Sequence, residues 1–268
     1  MEIVFIDHYD GFSYNVKEWV RRSLPSEVSI THVFYDDREK LENLSRELKP
    51  LILSPGPGHP SSAASTLSLV RSRLGRVPIL GICLGHQILG IVGGASIVRS
   101  KAPFHGSVRK ITLKRQLFHQ PVGSTLEMGV YHSLVVSEHD LKDPWHVLAV
   151  DELGEVAALE FAVAPSVDTS LWGQKNWPAV GLQFHPESFL SIDSDPLIKG
   201  WIERDIIPWF EQTQPAIFPQ RHRQNGAQNS NPAWQNQRPD QSREPVSLYR
   251  GSCESPGYET WDFQREMQ

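Results

Sequence analysis

The chain has 268 residues, 39% of them hydrophobic and 21% charged, and a formal charge of -5, enough for one large α/β domain or two small ones. No basic stripe is present to meet a phosphate backbone, and no apolar run approaches the ~20 residues of a membrane span, so neither nucleic acid nor a membrane is an expected partner. The opening MEIVFIDHYDG has an acid at Glu2 and no basic stretch, unlike a secretory signal. Two cysteines, Cys83 and Cys253, stand in very different surroundings, which argues against a disulfide framework and predicts a reducing, cytoplasmic compartment. The eleven histidines are scattered, with no CxxC or HxxxH spacing, so no metal or cofactor site is expected.

The first ninety residues read as repeated strand-then-helix units. Glu2–Ile6 is an apolar run ending at Asp7, and Phe12–Arg22 places Val16, Trp19 and Val20 at helical spacing. Val28–Tyr35 alternates as a strand, and Arg38–Leu48 sets Leu41, Leu44 and Leu48 on one helical face. Leu51–Leu53 is a further strand closed by Ser54–Pro60, Ala63–Leu74 a helix, and Pro78–Ile82 a buried strand running into Cys83. Short buried strands alternating with helices imply a parallel sheet covered on both faces.

From about Ala95 the pattern changes. Ser96–Val98, Ser107–Leu113, Gly129–Val136, Trp145–Val150 and Val156–Phe161 alternate as antiparallel strands, followed by a strand over Ala179–Phe184 and a closing helix over Pro196–Phe210. The expected fold is therefore α/β: a mostly parallel central sheet with helices on both faces and a smaller antiparallel β section. After Glu211 the composition shifts, and Gln214–Gln241 is crowded with Gln, Asn, Pro and Arg. Such a segment buries too little apolar surface to offset its ordering entropy. The domain is expected over 1–211, with a disordered tail over 212–268 in which Trp234, Leu248, Tyr249, Tyr258, Trp261 and Phe263 are scattered anchors.

The chemistry centres on Pro78–Gln87, PILGICLGHQ. G-x-C-x-G has the logic of the G-x-S-x-G nucleophile elbow: glycines on either side permit a sharp turn from strand to helix. Cys83 then projects at a helix N-terminus, where the backbone dipole favours negative charge and the N–H of Leu84 can face a developing oxyanion. A buried structural cysteine fits this short motif equally well. Gly181–Ser188, GLQFHPES, separates the two readings. His185 suits a base that must return its proton to a leaving amine, and Glu187, two residues on in extended chain, is placed to orient it. In Ser54–Pro60, SPGPGHP, the prolines and glycines fix a rigid turn whose free N–H groups, around Gly56, Pro57 and Gly58, are candidate oxyanion donors. A tight connection without chemistry is the plainer reading of that loop. It lacks the GK[ST] of a phosphate-binding loop.

SPGPGHP, GICLGHQ and GLQFHPES, in this order and spacing, strongly resemble the class I (triad) glutamine amidotransferases. FIDHYDGFSYN and Tyr131–Val136 resemble the amidotransferase subunits of anthranilate synthase and aminodeoxychorismate synthase, over about residues 1–210. The resemblance implies that Cys83 attacks the side-chain amide of L-glutamine, that His185 acts as acid and base, and that Glu187 orients it. It implies oxyanion donors at Gly56 and Leu84 and a glutamine pocket formed by Gln87, Ser133 and Leu134. Ammonia would pass to a chorismate-using synthase subunit (component I) on a separate chain. Where relatives more often carry Asn, Ser, Lys and Arg, this sequence has His8, Gly11, Ser107 and Val130, in segments expected near the partner. Two other readings stand beside this one: a non-catalytic partner-binding subunit, and a γ-glutamyl hydrolase of the same fold, against which Gln87 and the His132–Ser133–Leu134 run argue by resemblance.

Overall fold

In chain order the strands are β1 (Glu2–Asp7), β2 (Ser29–Phe34), β3 (Leu51–Leu53), β4 (Ile79–Ile82), β5 (Ile97–Arg99), β6 (Ser107–Leu113), β7 (Thr125–Val130), β8 (Leu134–Val136), β9 (Trp145–Asp151), β10 (Val156–Phe161) and β11 (Ala179–Leu182). Between and after them run the helices α1 (Ser13–Arg21), α2 (Arg38–Leu44), α3 (Ala64–Arg73), α4 (Leu84–Val92), α5 (Asp195–Trp201) and α6 (Ile207–Thr213). This computed structural model describes residues 1–44, 46–103, 106–162 and 176–215. The aromatic anchors of the predicted tail and Cys253 lie outside the described residues, as do Phe104 and His105, whereas Gln212 and Thr213, read as tail, close α6.

Nine strands form one sheet in the order β2-β1-β3-β4-β11-β10-β9-β6-β7, and β5 pairs with β8 in a small second sheet. The pairs from β2 to β11 are parallel and those from β11 to β7 antiparallel. The antiparallel section is thus mainly a continuation of the parallel sheet across β11. Ile3, Val4, Phe5 and Ile6 of β1 are fully buried, as a central parallel strand requires. Helix α4 packs across β3, β4 and β11 with α3 beside it, and α1 packs against α5.

Close backbone approach sets the position of α4. A Cβ on Gly85 would lie 2.5 Å from the Leu53 carbonyl oxygen, and one on Gly81 would lie 2.6 Å from the Gly85 backbone. Any larger residue at either position pushes the helix off the sheet.

Three elements differ from their sequence reading. Gly129–Val136 is not one strand: Tyr131, His132 and Ser133 separate β7, which pairs with β6, from β8, which pairs with β5. The predicted closing helix is three pieces, with a π-helical turn over Ile202–Ile206 before Pro208 in the first turn of α6. Proline lacks an N–H and crowds the carbonyl four residues earlier, and a widened turn accommodates it. Helix α2 stops at Leu44, after which Arg46 and Glu47 close turns onto Asn43 and Leu44.

Candidate active site

The site lies beyond the C-terminal ends of β1, β3, β4 and β11, where open α/β sheets place their ligands. Register aligns its parts: Ile82 of β4 is level with Leu182 of β11, so the residues that follow, Cys83 and Gln183, emerge side by side. The Cys83 N–H is held by the Leu182 carbonyl at 2.8 Å, and Gln87 N–H bonds the Cys83 carbonyl at 3.0 Å as α4 begins. Between these bonds Cys83 adopts φ 50°, ψ -100°, a conformation costly for a side chain with a Cβ. The elbow expected from the sequence is present, strain included. Cys83 is a free thiol, 8% exposed.

His185 follows β11 and is pinned by its backbone. Its N–H donates to the Gly129 carbonyl at 2.9 Å, and its carbonyl accepts from Ser191 Oγ at 2.5 Å. The rings of Phe12 and Tyr131 flank the imidazole at centroid distances of 5.2 and 5.0 Å. Nδ1 stands 2.7 Å from Glu187 Oε1, and both side chains are almost wholly buried. Burial opposes charge on this ring, but the neighbouring Cys83 sulfur and the Glu187 carboxylate outweigh it and raise its pKa well above the usual histidine value. The ring is thereby held toward its charged form between the Cys83 sulfur and the Glu187 carboxylate.

A cavity of about 120 Å³ opens over Cys83, lined by Gly56, Pro57, Gly58, Gln87, Tyr131, His132, Ser133 and Leu134. It is well below the ~300–1,000 Å³ of clefts for drug-sized ligands and suits a small substrate. The cavity gathers every residue that the sequence reading assigned to the pocket except Leu84. Leu84 instead opens α4, and its Cδ2 would lie 2.5 Å from a Cβ on Gly56, so only glycine lets the SPGPG loop come this close. Gln87 does not project freely into the cavity: its Nε2 donates to the Leu134 carbonyl at 2.9 Å and to Gln183 Oε1 at 3.3 Å. Tyr131 and Gln183 join the site without having been singled out by the sequence reading. Their only signal there is adjacency, one beside His132–Ser133–Leu134 and the other within GLQFHPES.

The departures at positions 8, 107 and 130 fall in particular places. His8 is buried, with Nδ1 3.1 Å from Ser54 Oγ and Nε2 3.1 Å from Thr66 Oγ1, and it braces the SPGPG loop from inside. Ser107 and Val130 face each other on one rung of the β6–β7 ladder, and Val130 is buried. His8 and Val130 are therefore interior residues and present no side chain to a partner surface.

With this geometry in place, comparison with known sequences is decisive. Residues 4–203, about three quarters of the chain, match the family Glutamine amidotransferase class-I. The chain belongs to the class-I glutamine amidotransferase family. Among relatives of this amidotransferase chain, anthranilate synthase component 2 of Cyanidium caldarium is 36% identical over 204 residues, covering 75% of this chain and 97% of that one. Aminodeoxychorismate synthase component 2 of Escherichia coli is 31% identical, covering 75% of this chain and all of its own length. Bifunctional protein TrpGD of Thermotoga maritima is 34% identical over 202 residues, 75% of this chain, but the match spans only 32% of that longer protein. The amidotransferase fold is shared with a solved glutamine amidotransferase of Thermotoga maritima, at TM-score 0.51 and 20% identity, covering 81% of this chain and 88% of that one. Among the described residues no helix is long and apolar enough to cross a membrane.

Three buried histidines give the domain an acid sensitivity separate from its chemistry. Burial lowers the pKa of His8 to about 4, of His132 to about 4 and of His86 to about 3. The unfolded chain takes up these protons near pH 6.5 and the folded one does not, so stability is full above pH 6.5 and falls as pH drops toward 4. At pH 5 the expected loss is on the order of 2 kcal/mol per histidine. His185, shifted upward, acts oppositely: its contribution is lost as pH rises through its folded-state value. Urea titrations at pH 7 and pH 5 measure the difference. An unchanged midpoint contradicts the assignment of these rings as buried and neutral.

Proposed function

We propose that this chain is the glutaminase subunit of a chorismate-using synthase, hydrolysing L-glutamine through Cys83, His185 and Glu187. The observation that carries the reading is the placing of Cys83 at the floor of a small cavity, beside a buried His185–Glu187 pair 2.7 Å apart. Substrate enters with its side-chain amide over Cys83, against the wall of Gln87, Ser133 and Leu134. The thiolate attacks the amide carbon. Backbone N–H groups of Gly56 and Leu84 receive the developing oxyanion, and His185 gives its proton to the departing ammonia. The resulting γ-glutamyl thioester is then attacked by water, from which His185 takes a proton, and collapse releases glutamate and restores the thiolate beside a protonated His185. Glu187 holds the imidazole tautomer and its charge throughout.

Relatives named as component 2 of anthranilate synthase and of aminodeoxychorismate synthase support a component I synthase on a separate chain as the recipient of ammonia. The reducing cytoplasm, where a free nucleophilic thiol survives, is the compartment that fits this role. The domain reading of 1–211 plus a tail belongs to the same proposal. Mixing the chain with each chorismate-using synthase of its own organism, and following glutamate release together with glutamine-dependent anthranilate or aminodeoxychorismate, tests it. The expected result is that one partner or both raise glutamate release and form product. Absence of glutamate with either partner overturns the reading.

A further inference from the structure

The side chain of Gln183 has no part in the scheme above, yet it is 1% exposed and touches the sulfur on which that scheme depends. It follows β11 directly, and its backbone N–H is fixed to the Ala157 carbonyl at 2.9 Å. Its amide Nε2 lies 3.7 Å from Cys83 Sγ. Its Oε1 accepts from Gln87 Nε2 at 3.3 Å, and the same Nε2 donates to the Leu134 carbonyl at 2.9 Å.

Donor and acceptor roles in this chain are not interchangeable. The Leu134 carbonyl can only accept, so the group that Gln87 turns to it is its NH₂. The second proton of that NH₂ points at Gln183, which must answer with its carbonyl oxygen. That choice leaves the NH₂ of Gln183 facing the sulfur, as a donor. A buried amide with both ends used rigidifies its neighbours, because any rotation leaves a polar atom unpaired.

We infer that Gln183 is a fourth member of the catalytic machinery, an amide that donates to the Cys83 sulfur and ties it to the glutamine-facing wall through Gln87 and Leu134. The inference deepens the glutaminase reading and rests on it for its catalytic meaning. Two functions follow from one side chain. The N–H stabilises the thiolate and fixes the direction of attack. The carbonyl keeps the Gln87 amide turned toward Leu134, so nucleophile and substrate wall move as one unit. An inert core amide of the same burial makes neither claim, and kinetics separates the two.

The test uses the full chain carrying Gln183→Met, which keeps length without a donor, and Gln183→Glu, which keeps shape and the acceptor for Gln87. Each is compared with the unaltered chain in kcat and KM for glutamine. In parallel, the rate at which iodoacetamide alkylates Cys83 is followed by peptide mass at pH 7, a reaction that needs no glutamine chemistry. The expected result is a fall in kcat of roughly tenfold to a hundredfold for Gln183→Met, a smaller change in KM, and slower alkylation in both variants. Alkylation within twofold of the unaltered chain, in whichever variant retains a cooperative melt, overturns the role of Gln183. Absence of glutamine hydrolysis by the unaltered chain in the presence of its synthase partner overturns the glutaminase reading instead, while alkylation still decides the contact with sulfur.

Discussion

Replacing Cys83 with serine is expected to lower glutamine hydrolysis by about a thousandfold or more while leaving the fold intact. The substitution keeps the elbow, and serine is small enough for the same φ of 50°. What it removes is a sulfur that ionises readily; a hydroxyl at this position would need its proton taken during attack. His185 is charged by its surroundings rather than poised as a neutral base, since the Cys83 sulfur and Glu187 together overcome its burial. Serine also removes the sulfur's share of that support, so the charge arrangement around His185 is lost together with the nucleophile. His185→Asn is expected to fall nearly as far, and the double variant little further, because the two act as one unit. Steady-state glutamate release, with circular dichroism to confirm the fold, measures all three. A serine variant that retains a tenth of the activity contradicts the assignment of Cys83 as nucleophile.

The second large effect concerns stability. Arg109 of β6 is 4% exposed and meets Asp151 Oδ2 at 2.5 Å and Glu155 Oε2 at 3.1 Å, and it also bonds the Ala102 carbonyl. Glu155 in turn accepts from Ser100 Oγ at 2.8 Å and the Lys101 N–H at 2.5 Å, so the β5–β6 connection hangs on the same group. Arg109→Met leaves two carboxylates buried without their cation, and the expected loss is ~3–5 kcal/mol of unfolding free energy. Replacing Asp151 and Glu155 as well, with apolar residues of similar size, is expected to restore much of it, since the cost lies in the orphaned charges. Urea denaturation at pH 7 measures both. A loss below about 1 kcal/mol for the single variant would mean that the cluster is hydrated rather than closed.

Much of this architecture is legible in the sequence. Strands β1, β3 and β4 are continuous apolar runs because a parallel strand is buried on both faces, and the glycines around Cys83 announce a turn that few other residues permit. The break at Tyr131–His132–Ser133 is hidden because it contains no glycine or proline: alternation runs on through residues that change sheets. The π-helical turn before Pro208 reads as plain helix, although that proline is its cause. The Arg109–Asp151–Glu155 cluster is invisible because Arg109 lies 42 and 46 positions from its two carboxylates, and only the pairing of β6 with β9 brings them together. Gln183 escapes notice for a different reason. It sits inside a recognisable motif, and its importance lies in which way its amide faces.

The central claim is that Cys83 forms a covalent γ-glutamyl thioester. Incubating the chain with isotopically labelled glutamine, quenching in acid and mapping the peptides tests this most directly. The account predicts label on the peptide containing Cys83, released by hydroxylamine as a thioester must be, and absent from the serine variant. Glutamate production with no label on Cys83 at any quench time, or with label on Cys253, would contradict it.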